Sequence, residues 1–192
     1  MADSRRTETR LRDCTSPQTN ADLWVVEPGR GTPGDRPPAV WLKTPFREGY
    51  ARFSPDGRWV AYQSNDSGRP EIYVRPFAPS SERASADQAT ERWQISVGGG
   101  IHPVWRHDGT ELFYLSPAGE MMAAPIATTA AAVVPGVPVA LFPTRVWGGG
   151  IDAQQARQYD VAPDGRFLIN TVVESAAAPI TLVQHWNPDA KK

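Results

Sequence analysis

Three times along this chain an apolar run, a corner centred on Asp-Gly and a second apolar run follow one another. The first copy is Phe53-Ser54-Pro55-Asp56-Gly57-Arg58-Trp59-Val60-Ala61-Tyr62. The second runs from Val104-Trp105-Arg106-His107-Asp108-Gly109 to Leu112-Phe113-Tyr114, and the third from Tyr159 through Pro163-Asp164-Gly165 to Ile169. Pro55 and Pro163 occupy the second turn position, where a fixed φ near −65° is wanted. Gly57, Gly109 and Gly165 stand where a left-handed residue returns the chain. The corner aspartates are 52 and 56 residues apart. That is a little above the roughly 40–50-residue period of four-stranded propeller blades. The excess falls in polar, Ala-rich or Pro-rich connections that read as inserted loops.

Each corner hairpin is followed by a turn and a third strand, Glu71–Phe77 in one unit and Glu120–Ile126 in the next. Fourth strands are expected at Arg92–Ser96 and Val137–Phe142. Four antiparallel strands per unit, in tandem, is the blade pattern. The strands do not alternate between apolar and polar: Trp59–Tyr62, Leu112–Leu115 and Phe167–Ile169 are apolar on both sides. A sheet covered on both faces reads this way, whereas a sheet with one wet face alternates. The expected fold is all-β, a partial β-propeller of about three four-stranded blades plus a half blade. Residues 1–21 are expected as a disordered leader and 22–187 as the propeller segment. That segment divides into a half blade at 22–45, blades at 46–98 and 99–146, and an incomplete last blade at 147–187. Residues 188–192 are a tail. Missing blade strands would come from outside this sequence, or from self-association through open blade edges and faces.

The Phe-Ser-Pro-Asp-Gly-Arg corner followed by Glu71-Ile72-Tyr73-Val74 resembles the TolB-like β-propeller repeat, a relative of WD-type repeats. The segment Trp105–Leu115 is similar to the form found in propellers that end some bacterial serine/threonine protein kinases. The resemblance implies a non-catalytic module for protein–protein interaction or ligand sensing, the C-terminal part of a larger bacterial protein such as a receptor-type kinase. Two other readings stand beside it: the gating propeller of a peptidase whose catalytic domain is encoded elsewhere, and a truncated gene fragment. Family rings have six or more blades, more than this chain can supply.

At 192 residues, 40% hydrophobic and 21% charged, the chain can bury one core. A net charge of −1 gives no electrostatic footprint for nucleic acid or an anionic membrane surface. No stretch of about 20 apolar residues could span a bilayer. Without a signal peptide the chain as written is expected in the cytoplasm, and in the periplasm if a longer parent exists. Cys14 is the only cysteine, which leaves no internal disulfide and no cysteine-based metal site.

The chemistry-bearing residues read mostly as architecture. Asp56, Asp108 and Asp164 stand one per repeat, whereas calcium loops gather several ligands in one short segment. Gly98-Gly99-Gly100 and Gly148-Gly149-Gly150 lack the following Lys-Ser/Thr of a phosphate loop and read as inter-blade connectors. His102, His107 and His185 lack metal-ligand spacing. Neither Gly-x-Ser-x-Gly, nor His-Glu-x-x-His, nor the kinase set is present. No catalytic residue, cofactor or metal is expected. Function is expected instead in the loops at one end of the blades. Those loops carry Arg47, Glu48, Asn65, Asp66, Arg69, His102, Gln154, Gln155 and Arg157, a polar face of mixed charge suited to a protein or peptide partner. The core of that expected face is Arg47, Glu48, Arg69, His102, Gln155 and Arg157.

Overall fold

Sheet two shows how the chain builds its core. It is a meander of β4 (Glu48–Phe53), β5 (Trp59–Ser64), β6 (Glu71–Pro76) and β7 (Trp93–Gln94), each antiparallel to the one before. Every residue of β5 is buried, because successive side chains of a strand point to opposite faces and both faces are covered. Val60 and Tyr62 pack with Tyr73 against Leu23 and Leu42 of sheet one. Trp59 and Ala61 join Ile72, Val74 and Ile95 in a cluster with Trp105, Leu112, Tyr114 and Ile126 of sheet three. The continuous apolar run in the sequence is thus two half-cores interleaved.

In this computed structural model, residues 10–16, 20–26, 38–77, 91–129, 131–146 and 157–172 are described. Among them every regular element is a strand. Sheet one holds β1 (Arg10–Ser16), β2 (Asn20–Val26) and β3 (Ala39–Leu42). Sheet three holds β8 (Ile101–Trp105), β9 (Glu111–Leu115) and β10 (Glu120–Thr128). The edge of β10 is shared by β11 (Val133–Pro135) and β12 (Val139–Pro143). Sheet four is the pair β13 (Tyr159–Val161) and β14 (Phe167–Ile169). It packs on sheet three through Tyr159 and Phe167 against Phe113, Leu115 and Met121. The chain is all-β, and its antiparallel sheets stack face to face in sequence order, as propeller blades do.

The three corners have one geometry. Gly57, Gly109 and Gly165 have φ of 73°, 76° and 84°, and each donates its N–H back three residues, to the carbonyls of Ser54, Arg106 and Ala162. Asp56, Asp108 and Asp164 accept the N–H two residues on, from Arg58, Thr110 and Arg166, at 3.1, 3.0 and 3.2 Å. These carboxylates close turns, as their one-per-repeat spacing predicts. A Cβ on Gly57 would meet nothing within 4 Å, so only the backbone conformation resists a side chain there. Gly57→Val is expected to cost about 1–2 kcal/mol in urea unfolding; an unchanged midpoint would contradict that.

Two expectations are corrected. Residues 10–16, assigned to a disordered leader, form β1, in register with β2 from Arg10↔Val26 to Ser16↔Asn20. The two strands expected at 22–45 are therefore joined by a third, and sheet one runs from β1 to β3. With Leu11 and Cys14 its few apolar residues, β1 has almost no pattern to read; backbone pairing supplies what hydrophobicity does not. The connection 127–137 is expected as a plain insertion, yet it contains β11. The linker 28–37, residues 78–90 of the long 78–91 loop, the second glycine triplet, the strand at 179–186 and the 188–192 tail lie outside the described residues.

Candidate functional site

Antiparallel hairpins put the corners at one end of the sheets and the strand-two-to-three turns at the other. At that second end the Arg47 N–H donates to Asn65 Oδ1 at 2.8 Å, which fastens the loop before β4 to the turn after β5. Asp66 pairs with Arg92, and the Arg92 guanidinium lies 4.7 Å from the Tyr73 ring centroid. Arg69 is exposed, its Nε 3.4 Å from Oε1 of Glu71. Arg47, Asn65, Asp66, Arg69 and Arg92 therefore stand at one end, three arginines against Asp66 and the buried Glu71.

Glu48 and His102, expected on that face, are buried. Glu48 is 1% exposed and faces inward. Its Oε1 accepts Thr44 Oγ1 at 2.5 Å and Ser64 Oγ at 3.2 Å, and its Oε2 has no hydrogen-bond partner. Burial pushes its carboxyl above the usual 4.5; the two hydroxyl donors and Arg75 offset part of this, and Asp22 adds to it. His102 is also 1% exposed and lies within β8, where it was expected ahead of that strand on the open face. Its N–H donates to Gln63 Oε1 at 3.1 Å, and its carbonyl accepts Tyr159 Oη at 2.8 Å. Burial pushes the Tyr159 phenol far up. Arg157 is partly buried, near enough to Tyr159 to offset some of that shift. Gln155, with Gln154, lies outside the described residues. Of the five described, Arg69 is exposed and Arg47, like Arg157, is half-buried; Arg47 and Arg69 flank the turn after β5.

His102 has a counterpart that sequence reading missed. Tyr50 and His102 both have φ of 56°, both stand six residues before a corner aspartate, and both sit where the first strand of a blade slips register against the second. Their rings are 4.3 Å apart. Such a bulge re-aims the inner strand, and the paired rings lock one blade's bulge against the next. A further buried pair is Glu71 and Ser96: Ser96 Oγ donates to Glu71 and accepts the Ile72 N–H at 2.8 Å, tying β6 to the chain leaving β7. Among the described residues no group of three or more His, Cys, Asp or Glu is placed to hold a metal ion, and no helix is long and apolar enough to cross a membrane.

The corner end carries a cleft of about 310 Å³ between sheets two and three. Ser54, Asp56 and Trp59 line one side, and Trp105, Asp108 and Thr128 the other. Gly109 rests near Pro55, so adjoining corners touch at its base. Trp105 Nε1 donates to the Arg52 carbonyl at 3.2 Å, which holds its ring. The sequence signal was present: a tryptophan three residues after Asp56 and another three before Asp108. Only the stacking of two blades makes them opposing walls.

No family model and no curated protein matches this chain. Solved structures do. TolB from Acinetobacter baumannii matches with a TM-score of 0.45 at 16% identity, over 84% of this chain and 45% of that one. A Mycobacterium tuberculosis puromycin-hydrolyzing peptidase matches with a TM-score of 0.49 at 16% identity, over 85% of this chain and 34% of that one. This chain spans less than half the length of either.

Proposed function

We propose that this chain is a non-catalytic β-propeller module that binds a protein or peptide partner through the end bearing Arg47 and Arg69. We further propose that it belongs to a larger bacterial protein of the receptor serine/threonine kinase type, on the resemblance of Trp105–Leu115. The observation that carries the binding reading is the Arg47–Asn65 contact, which fastens the loop before β4 to the turn after β5. Arg47, Arg69 and Arg92 stand at that end, with Asp66 and the buried Glu71 as the acidic members that pair with Arg92 and Arg69. A partner matched to that surface is acidic, since complementary charge governs encounter and selection more than raw affinity. Loops on a strand scaffold are where such modules place recognition.

Panning a random-heptapeptide phage library on the purified chain tests this. Enriched peptides are expected to carry Asp and Glu, and the double variant Arg47→Glu/Arg69→Glu is expected to bind them about tenfold or more weakly. No enrichment, or equal binding by the charge-reversed variant, would overturn the reading. In-frame DNA upstream of Met1 that encodes further blades and a kinase domain would support the parent; a continuous upstream frame with neither would remove it.

A further inference from the structure

Glu48 opens β4, one residue after Arg47, and its carboxyl ties together the segments that carry the loop face. Oε1 accepts the Thr44 hydroxyl from the loop before β4 and the Ser64 hydroxyl from the end of β5. Thr44 Oγ1 in turn accepts the Phe46 N–H at 3.0 Å, and Ser64 Oγ the Asp66 N–H at 3.3 Å. One carboxyl oxygen therefore holds both of the segments that Arg47 and Asn65 join. The other oxygen, Oε2, is buried and has no donor. An ionised carboxylate accepts on both oxygens, whereas a carboxylic acid carries its proton on one and accepts on the other. The arrangement around Glu48 fits the acid. A parallel bridge between Ala21 and Arg47 sets β2 beside the start of β4, and Asp22 and Glu48, each 1% exposed, are the residues that follow. Asp22 disfavours a second negative charge there, and the buried Arg75 of β6 offsets it only in part. Tyr62 of β5 feels the same carboxyl, and His102 of β8 lies against the Tyr50 ring, two residues on. Lys43 of the loop is exposed, and β1, which adjoins β4, carries Arg10, Arg12 and Asp13.

We propose that Glu48 is a proton-held latch of the loop face: protonated, it keeps the two segments closed, and on losing its proton it lets them part. This rests on the loop-face reading above. With the proton on Oε2, Oε1 still accepts both hydroxyls and no charge is buried. Without it, a carboxylate with one unsolvated oxygen stands near Asp22, and opening the loop to water relieves it. Burial raises the pKa of the closed form, whereas an opened loop returns the carboxyl to about 4.5. The closed form therefore binds the proton more tightly. Its advantage is full below the open-form value and is lost as pH rises through the higher pKa of the closed form. Across that window opening grows by up to about tenfold per pH unit. The grip on an acidic partner weakens accordingly as pH rises.

Carboxyl-carbon NMR titration of the purified chain reads Glu48 directly. Its midpoint is expected above 4.5, and a midpoint at or below that value overturns the proposal. Amide hydrogen exchange, corrected for the intrinsic rate, reads the latch itself. From about pH 4 to about pH 7, opening at the Arg47 and Asp66 amides is expected to rise about threefold or more. The Gly136 amide, bonded to the Pro125 carbonyl in sheet three, is expected to stay constant. Glu48→Gln keeps an oxygen acceptor for both hydroxyls but has no proton to lose, so its opening is expected to be flat with pH. A flat profile in the parent chain, or the same rise in Glu48→Gln, overturns the latch. At about pH 7 Glu48→Gln is expected to bind acetyl-hexa-aspartyl amide about threefold or more tightly than the parent chain. Equal affinity overturns the link from latch to partner. If neither chain binds the peptide, the loop-face reading falls, and the titration and exchange measurements still decide the latch.

Discussion

Leu112→Ala is expected to lower the unfolding free energy by about 2–5 kcal/mol. Leu112 lies on β9 with no exposed surface, inside the cluster that joins sheets two and three. Trp59, Ile72, Trp105 and Ile126 belong to the same cluster, and large rings anchored in two separate sheets cannot close on the space a lost isobutyl group leaves. For a chain of this length that is a fall of roughly 5–20 °C in Tm, read by thermal denaturation. Leu168→Ala, at a position 77% exposed on β14, is expected to stay within about 0.5 kcal/mol. If the two substitutions cost the same, the contact between these sheets is not where the stability resides.

Gly99→Ala is expected to be nearly as damaging, at about 2–4 kcal/mol, although it adds one methyl group to a connector. Gly99 has φ of 113°, and a Cβ there would lie 2.4 Å from Cγ of Pro117 and 3.1 Å from its Cδ. Pro117 is part of a rigid ring in the turn between β9 and β10, and Gly100 donates its N–H to the Pro70 carbonyl at 2.9 Å. The connector is thus held from sheet two while sheet three closes over it, and neither side yields cheaply. Urea midpoints for Gly99→Ala and Gly57→Ala compare a conformational cost plus a clash with a conformational cost alone. Equal midpoints would show that the connector can move aside.

The corners, the strand positions and the double-faced burial of the blades were legible because each depends on residues close together in the chain. A Pro-Asp-Gly turn needs a fixed φ, a side-chain acceptor and a left-handed residue in consecutive places, and such a requirement is written locally. β1 was not legible, since its strand is defined by backbone pairing to β2 across residues with little apolar pattern. The strand-two-to-three end was half legible as geometry. Arg47 and Arg69, expected at that end from the blade pattern, stand there. Glu48 and His102 were placed by the same reasoning, but a carboxylate can turn inward to Thr44 and Ser64, and a bulge can turn a histidine under its neighbour. A loop position sets where a residue begins; what it meets decides where its side chain ends.

By itself, then, the order of residues determined that this chain is all-β, that it repeats, and that its aspartyl-glycine corners are turns. Those outcomes rest on steric limits within a few bonds, which no distant part of the molecule can revise. The stacking of one sheet on the next decided the rest: that Tyr50 meets His102, that Gly99 has no room for a methyl group, and that Trp59 and Trp105 face each other across a cleft. Each of these joins residues from different blades, and the distance between them is set by how apolar faces pack and not by any local preference.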